Sequence, residues 1–299
     1  MFGFLNINKP PDCTSHDVVA ILRKSLGIKK TGHSGTLDPF AGGVLVIGVG
    51  DATRLLEYLP QDKIYLAEIT FGTGTDTDDI TGQVIKKSNF IPSVDEIKNV
   101  SKQFFGKIRQ KPPIYSAIKI NGNRSYDLAR ENKISQDKMN EREIEIYSIE
   151  IILYTPPRLN LKIHCSGGTY IRSLARDLGN VLNSCAVLSR LQRITGNGFT
   201  IQESVSPELI NKTNIFNYLI QPQDVIKLKK IHLDSKQINE IMHGREIKVS
   251  LDFMPNINKN LQMLDTNDRL IGIGLLTENY MLKPKKIFLK EGMVSSVQT

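Results

Sequence analysis

The sequence predicts an α+β fold with one large domain followed by a small one. Three observations lead there. Helix-patterned and strand-patterned segments are interleaved through roughly the first 230 residues. From Ile231 onward the pattern changes to short strand-like pieces separated by turns. The chain has 299 residues, 40% of them hydrophobic, enough for a well-buried core and a satellite domain. The expected division is 1–229 for the large domain and 230–299 for the small one.

The elements follow in order. Ser15 is expected to cap a helix with Val18, Val19, Leu22 and Leu26 on its apolar face, ending near Gly27. Val44 to Val49 reads as a buried strand. Asp51 is expected to cap a helix over Ala52 to Leu59, which Pro60 stops. Tyr65 to Phe71 reads as a strand, with Tyr65, Ala67, Ile69 and Phe71 on one face. A short helix is expected over 95–105 and a strand-like stretch over 113–120. A polar segment from Asn121 to Arg142 reads as an insertion carrying one helix, Tyr126 to Glu131. Strands follow at Ile144 to Leu153 and Leu159 to His164, then a helix over Thr169 to Leu182. Pro207 to Lys230 reads as a helix and linker. The small domain is expected to hold strands at Ile247 to Val249, Leu261 to Leu264, Leu270 to Leu276 and Lys286 to Leu289.

The formal net charge is +8, which favours a polyanionic partner. The cations cluster: Arg23, Lys24, Lys29 and Lys30; Lys98, Lys102, Lys107, Arg109 and Lys111; Lys283, Lys285, Lys286 and Lys290. Together they suit contacts to phosphates. Three cysteines, Cys13, Cys165 and Cys185, are an odd number without metal-ligand spacing. Free thiols in a cytoplasmic protein are expected, with neither a disulfide framework nor a metal site. No run reaches the ~18 apolar residues of a membrane span.

The most informative stretch is Gly32-His33-Ser34-Gly35-Thr36-Leu37-Asp38-Pro39-Phe40-Ala41-Gly42-Gly43. Asp38 precedes a proline, so its backbone is pushed toward extended conformations. The surrounding glycines allow positive φ and close approach of a large ligand. An Asp-Pro pair is ordinarily a surface turn; a carboxylate inside so long a small-residue loop is instead poised to meet a substrate. Two other sites are set aside. Gly48-Val49-Gly50 lacks the third glycine of a dinucleotide fingerprint, Thr53 standing there. Asp76, Asp78 and Asp79 fail as a calcium loop, because Lys87 occupies the twelfth position; they are expected to cap turns.

This segment resembles the catalytic motif of the TruB-type tRNA pseudouridine-55 synthases. Four more segments are similar to motifs of that family, in family order. They are Asn8 to Val19 with Lys9-Pro10-Pro11; Lys63-Ile64-Tyr65 with Phe71 to Gly82; Gln110 to Lys119; and Cys165 to Leu174. The matches span roughly residues 4–200. The resemblance implies a pseudouridine-synthase catalytic domain with a mixed, mostly antiparallel sheet, and a C-terminal PUA-like β-barrel that binds RNA. The 121–142 insertion corresponds to a mobile thumb loop. Departures are Asp12 and Asn132 where glycine is common, Gln192 in place of a frequent arginine, and Asn197-Gly198 in place of Gly-Pro.

The resemblance also implies roles. Asp38 is the indispensable catalytic residue; attack on the sugar, attack on the base and help with proton removal all stay open. Arg172 pairs with Asp38, and an arginine near a helix start is mildly disfavoured by the dipole, which hints at a specific anionic partner. Tyr65 stacks on the flipped base, and its hydroxyl is a candidate general base. Tyr170 and Leu191 wall the uracil pocket. His33 takes the space of the flipped nucleotide. Lys9 supports the catalytic loop or contacts phosphate. For Tyr65, Tyr170 and Leu191, ordinary core packing is the competing reading. The implied substrate is the T-arm of tRNA. Isomerisation of uridine is redox-neutral and loses no atom, so no cofactor or metal is expected. A monomer is expected. The competing function is a non-catalytic RNA-binding or tRNA-folding protein.

Overall fold

The computed structural model describes residues 1–120, 122–131 and 133–288. Strands β1 (Gly3–Lys9), β2 (Thr31–His33), β3 (Gly42–Val49) and β4 (Lys63–Phe71) open the chain, with helix α1 (Ser15–Leu26) after β1. A small hairpin, β5 (Thr73–Thr75) and β6 (Val84–Lys87), precedes α2 (Val94–Ser101) and β7 (Gly106–Gln110). Then come β8 (Lys119–Ile120), β9 (Asn123–Arg124), α3 (Ser125–Arg130), β10 (Arg142–Thr155), β11 (Arg158–Cys165), α4 (Ile171–Val181), β12 (Ala186–Gly196) and β13 (Phe199–Thr200). The remainder holds α5 (Pro222–Val225), β14 (Lys229–His232), α6 (Ser235–Met242), β15 (Ile247–Lys248), β16 (Asn260–Leu264), β17 (Leu270–Leu276) and β18 (Met281–Ile287).

The main sheet runs β1-β3-β12-β4-β11-β10-β7, with β2 on β3 and β13 on β12. Its pairings are antiparallel except where β12 meets β3, at Gln192–Gly42 and Arg193–Gly43. The mixed, mostly antiparallel sheet of an α+β fold is therefore present. Alternation in β4 buries Tyr65, Ala67, Ile69 and Phe71 against α4 and α2. On the flank formed by β1 and β3, α1 covers Leu5, Ile7, Leu45 and Ile47 with Val18, Val19, Leu22 and Leu26. Helix α1 ends at Gly27 with φ 68°, the left-handed cap that glycine adopts without strain.

The C-terminal sheet runs β14-β16-β17-β18-β15, a curled PUA-like sheet. Its residues Leu264, Leu270 and Ile273 share one apolar cluster with Phe4, Val44, Val46 and Leu55. Arg54 lies over the Phe288 ring, and Lys286 pairs with Glu57, so the two sheets are also joined by charge and ring contacts. Among the described residues no helix is long and apolar enough to cross a membrane. Cys13, Cys165 and Cys185 are free.

Several expectations change. Thr14, not Ser15, caps α1, in a reciprocal capping box with Asp17; the Ser15 hydroxyl turns inward. Asp51 is not the cap residue: the 3-10 segment Gly50–Tyr58 is capped at Val49 without a side-chain bond, and Asp51 pairs with Lys30. Residues 113–120 form no strand except Lys119–Ile120, because Pro112 and Pro113 lack donors and the segment turns over the site. Pro207 to Lys230 holds two short 3-10 turns, α5 and the first residues of β14, for its apolar residues serve as plugs: Ile210 and Ile215 enter one core cluster, Ile226 another. Strands β1, β7, β12 and β14 and helix α6 went unforeseen. The last strand is Met281–Ile287 rather than 286–289, and Leu289, Lys290, Asn121 and Asn132 lie outside the described residues.

Candidate active site

The Asp38 loop runs from β2 to β3 and is fixed at several points. Ser15, 2% exposed, accepts from the Leu37 amide at 2.9 Å and donates to the Leu37 carbonyl at 3.2 Å. Lys9 is fully buried and donates to the carbonyls of Pro10, Pro39 and Ala41 at 2.9, 3.1 and 2.7 Å. The Ala41 amide closes a turn onto the Asp38 carbonyl at 3.1 Å. Ser34 donates to Asn197 Oδ1 at 2.6 Å, and Arg193 donates to the Gly35 carbonyl at 3.3 Å. A Cβ on Gly43, whose φ is +105°, would sit 2.3 Å from the Arg193 carbonyl oxygen, so only glycine fits at this turn into β3.

Arg172 meets Asp38 as a two-pronged fork. Its Nε donates to Asp38 Oδ2 at 2.9 Å and its Nη2 to Oδ1 at 2.8 Å. Nη2 also donates to the Tyr115 carbonyl at 2.9 Å and Nη1 to the Thr77 carbonyl at 3.0 Å. Asp79 Oδ2 lies 3.6 Å from Nη1. Arg172 is 4% exposed, whereas the Asp38 side chain keeps 28% of its surface open. The guanidinium is thus a buried anchor and the carboxylate an open, oriented anion.

Helix α4 presents Arg172 from its first turn. Its cap, Tyr170, has no side-chain capping bond; instead Gln110 accepts from the Tyr170 amide at 2.8 Å and donates to its carbonyl at 3.0 Å. One turn on, Arg176 donates to Asp78 at 2.8 Å, to Asp177 at 2.9 Å and to the Lys111 carbonyl at 2.8 Å. Burial pushes the Asp78 carboxyl up to about 6, against the pull of Arg176 and Arg172.

Tyr65 is 6% exposed and lies opposite Arg193 across the β4–β12 pairing. Burial raises the Tyr65 phenol, so it stays neutral near pH 7. Leu191, 8% exposed, sits one step along, opposite Ala67. Tyr170 is half-buried, and burial raises its phenol too. His33 ends β2; burial first, and then Arg193, lower its pKa, and its buried Nδ1 has no hydrogen-bond partner. Asp38 and Arg172 are thus in direct contact. Asp38 also acts electrostatically on Tyr65 and Tyr170. Lys9 lies beneath the loop, and its three carbonyl contacts give it the supporting geometry rather than a surface one.

Sequence reading missed four residues here. Ser15, Gln110 and Arg193 hold backbone around Asp38, Tyr170 and Gly35, and nothing in the sequence around them flagged a contact made across the sheet. Asp79 was read as a turn cap. It does bind Thr77 and Thr81 hydroxyls, at 2.8 and 2.6 Å, and it also faces Arg172. Asp12, where glycine is common in the resembled motif, takes φ 61°, a conformation aspartate tolerates.

A mixed sheet holding one forked Asp–Arg pair beside a buried tyrosine, with a curled C-terminal sheet, defines a pseudouridine-synthase type of protein. Residues 23–171 match the model of the TruB family pseudouridylate synthase N-terminal domain, and 230–288 match the TruB pseudouridine synthase II C-terminal model. The chain belongs to the TruB family of pseudouridine synthases. A tRNA pseudouridine synthase B of Microcystis aeruginosa is 42% identical over 95% of this chain and 98% of its own. One from Thermosipho melanesiensis is 38% identical over 96% and 95%. The Cbf5 chain in a Cbf5-Nop10-Gar1 complex shares the fold, with a TM-score of 0.73 at 23% identity over 98% of this chain and 87% of that one.

Proposed function

We propose that the protein is a cytoplasmic, cofactor-independent isomerase that converts a uridine in the T-loop of tRNA, position 55, to pseudouridine. The observation that carries this reading is the Asp38–Arg172 fork, a buried guanidinium orienting a partly open carboxylate. The named relatives are tRNA pseudouridine synthases, which supports tRNA as the substrate.

In this reading the target nucleotide flips out of the T-loop, at a few kcal/mol of lost stacking. The base enters between Tyr65, Tyr170 and Leu191, while His33 fills the space it leaves. The bond from C1′ to N1 breaks, the uracil turns, C5 bonds to C1′, the C5 proton leaves, and N1 takes up a proton from solvent. Asp38 acts at the reacting nucleotide, as carboxylates do in other glycosidic chemistry. Arg172 keeps Asp38 in one rotamer. Lys9 and Ser15 act on the loop, not on the RNA. Phosphate contacts come from the exposed cations, including Arg124 and Arg130, which flank the Tyr126 ring at 5.7 Å each in the 121–142 segment.

The test is tritium release from tRNA labelled at uridine C5. Release from wild-type tRNA that disappears when the T-loop uridine is replaced by cytidine supports reaction and site together. Release that survives the replacement overturns the T-loop assignment. Tight, salt-sensitive tRNA binding with no release favours the non-catalytic RNA-binding reading.

A further inference from the structure

Arg193 is the largest side chain with less than 2% exposure, and it lies in the sheet rather than in an ion pair at its rim. It occupies the parallel junction between β12 and β3, paired in register with Gly43 on one side and Tyr65 on the other. Its Nε donates to the Val44 carbonyl at 2.7 Å and its Nη2 to the Gly35 carbonyl at 3.3 Å. Both acceptors are neutral carbonyls. Tyr65 is the residue directly opposite it on β4, and both side chains are buried. Gly196 leaves it room: a Cβ there would meet Arg193 Cδ at 3.1 Å and Nε at 3.2 Å. Its charge acts on Lys9, His33, Lys63 and Tyr65.

A buried cation held by carbonyls is costly, because desolvation falls on a charge that no carboxylate offsets. Apolar packing alone would be met better by leucine or methionine at this position. What the planar fork adds is simultaneous bonding to two separate pieces of the site, the turn that leads to Asp38 and the start of β3, from the residue that faces the tyrosine of β4. We infer that Arg193 is a positioning residue for the isomerisation, setting the Tyr65 ring and hydroxyl relative to the Asp38 turn. This rests on the reading of Tyr65 as the residue beside the flipped base.

The test is a double-mutant cycle of Arg193→Lys and Tyr65→Phe, read as kcat and KM for C5 tritium release. Lysine keeps the charge and loses the fork. Arg193→Lys alone should lower kcat about 100-fold, as expected for a misplacement near 1 Å, with KM within about threefold. In the Tyr65→Phe background the same change should cost under about threefold more, because the two residues act as one unit. Independent, multiplying losses would overturn the proposal and leave Arg193 a packing residue. If Arg193→Lys does not fold, the wild type and Tyr65→Phe suffice, since arginine side-chain nitrogen resonances report on a neighbouring phenol. An Arg193 guanidinium resonance should shift when the phenolic oxygen is removed, and unmoved resonances would overturn the proposal. A wild type that fails to isomerise uridine at all would instead sink the functional reading.

Discussion

Arg172 directs its donors at two Asp38 oxygens and two backbone carbonyls, and no single-point cation can copy that arrangement. Arg172→Lys should therefore lower kcat by about 100-fold or more while tRNA affinity changes little, since the residue is buried with its donors turned to Asp38 and to backbone. Steady-state kinetics with filter binding checks this; equal losses in both would contradict it. Lys63 offers a second prediction at this scale. It is 8% exposed, and burial depresses its pKa from 10.5 to about 8, with Arg193 adding to the effect. Between pH 8 and 10.5 the unfolded chain thus binds more protons at this residue than the folded chain. Stability from Lys63 therefore rises with pH through that window, by at most about 3 kcal/mol. Lys63→Met removes this dependence, so any melting-temperature advantage of the variant should shrink from pH 8 to pH 10.5. A difference that stays flat would mean Lys63 is charged in the folded protein throughout.

At the scale of elements, the site depends on where loops are tied. Ser15 bonds both backbone groups of Leu37, next to Asp38, from the first turn of α1. Ser15→Ala should cost about 1–3 kcal/mol by leaving those groups unpaired, visible as a lower denaturation midpoint, and should lower kcat more than it raises KM. A variant with full kcat and reduced stability would limit Ser15 to structure. This tie also shows what the sequence could and could not say. Period-3.6 spacing located α1, and alternation located β4, because one face of each is buried. The Asp38 loop was legible because its unusual composition is local. Ser15's inward hydroxyl was not, since Thr14 and Ser15 both suit a cap and only the fold decides. Strand β12 escaped for a related reason: two register shifts and the polar residues Ser189, Arg190, Gln192 and Arg193 break its alternation. Residues 113–120 look strand-like but have a donor missing at Pro113, just after Pro112, and the Tyr115 carbonyl turned to Arg172.

At the scale of the whole molecule, the catalytic sheet brings together residues 134 positions apart in sequence, Asp38 and Arg172. Order along the chain signalled that pairing only through resemblance, because nothing local at either residue specifies the other. The C-terminal sheet is bound to the first by a shared apolar cluster and by Arg54, Glu57, Lys286 and Phe288, so the two sheets pack together. The site's own charges are buried or paired, while phosphate affinity would come from exposed cations, so affinity and chemistry should separate on mutation. The measurement that tests this most directly compares wild type with Asp38→Asn for tritium release from C5-labelled tRNA and for tRNA binding. Asparagine keeps the shape and removes the charge. The predicted result is release from wild type only, with Asp38→Asn binding tRNA within a few-fold of wild type. Tritium release by Asp38→Asn at the wild-type rate would contradict the assignment of the chemistry to Asp38.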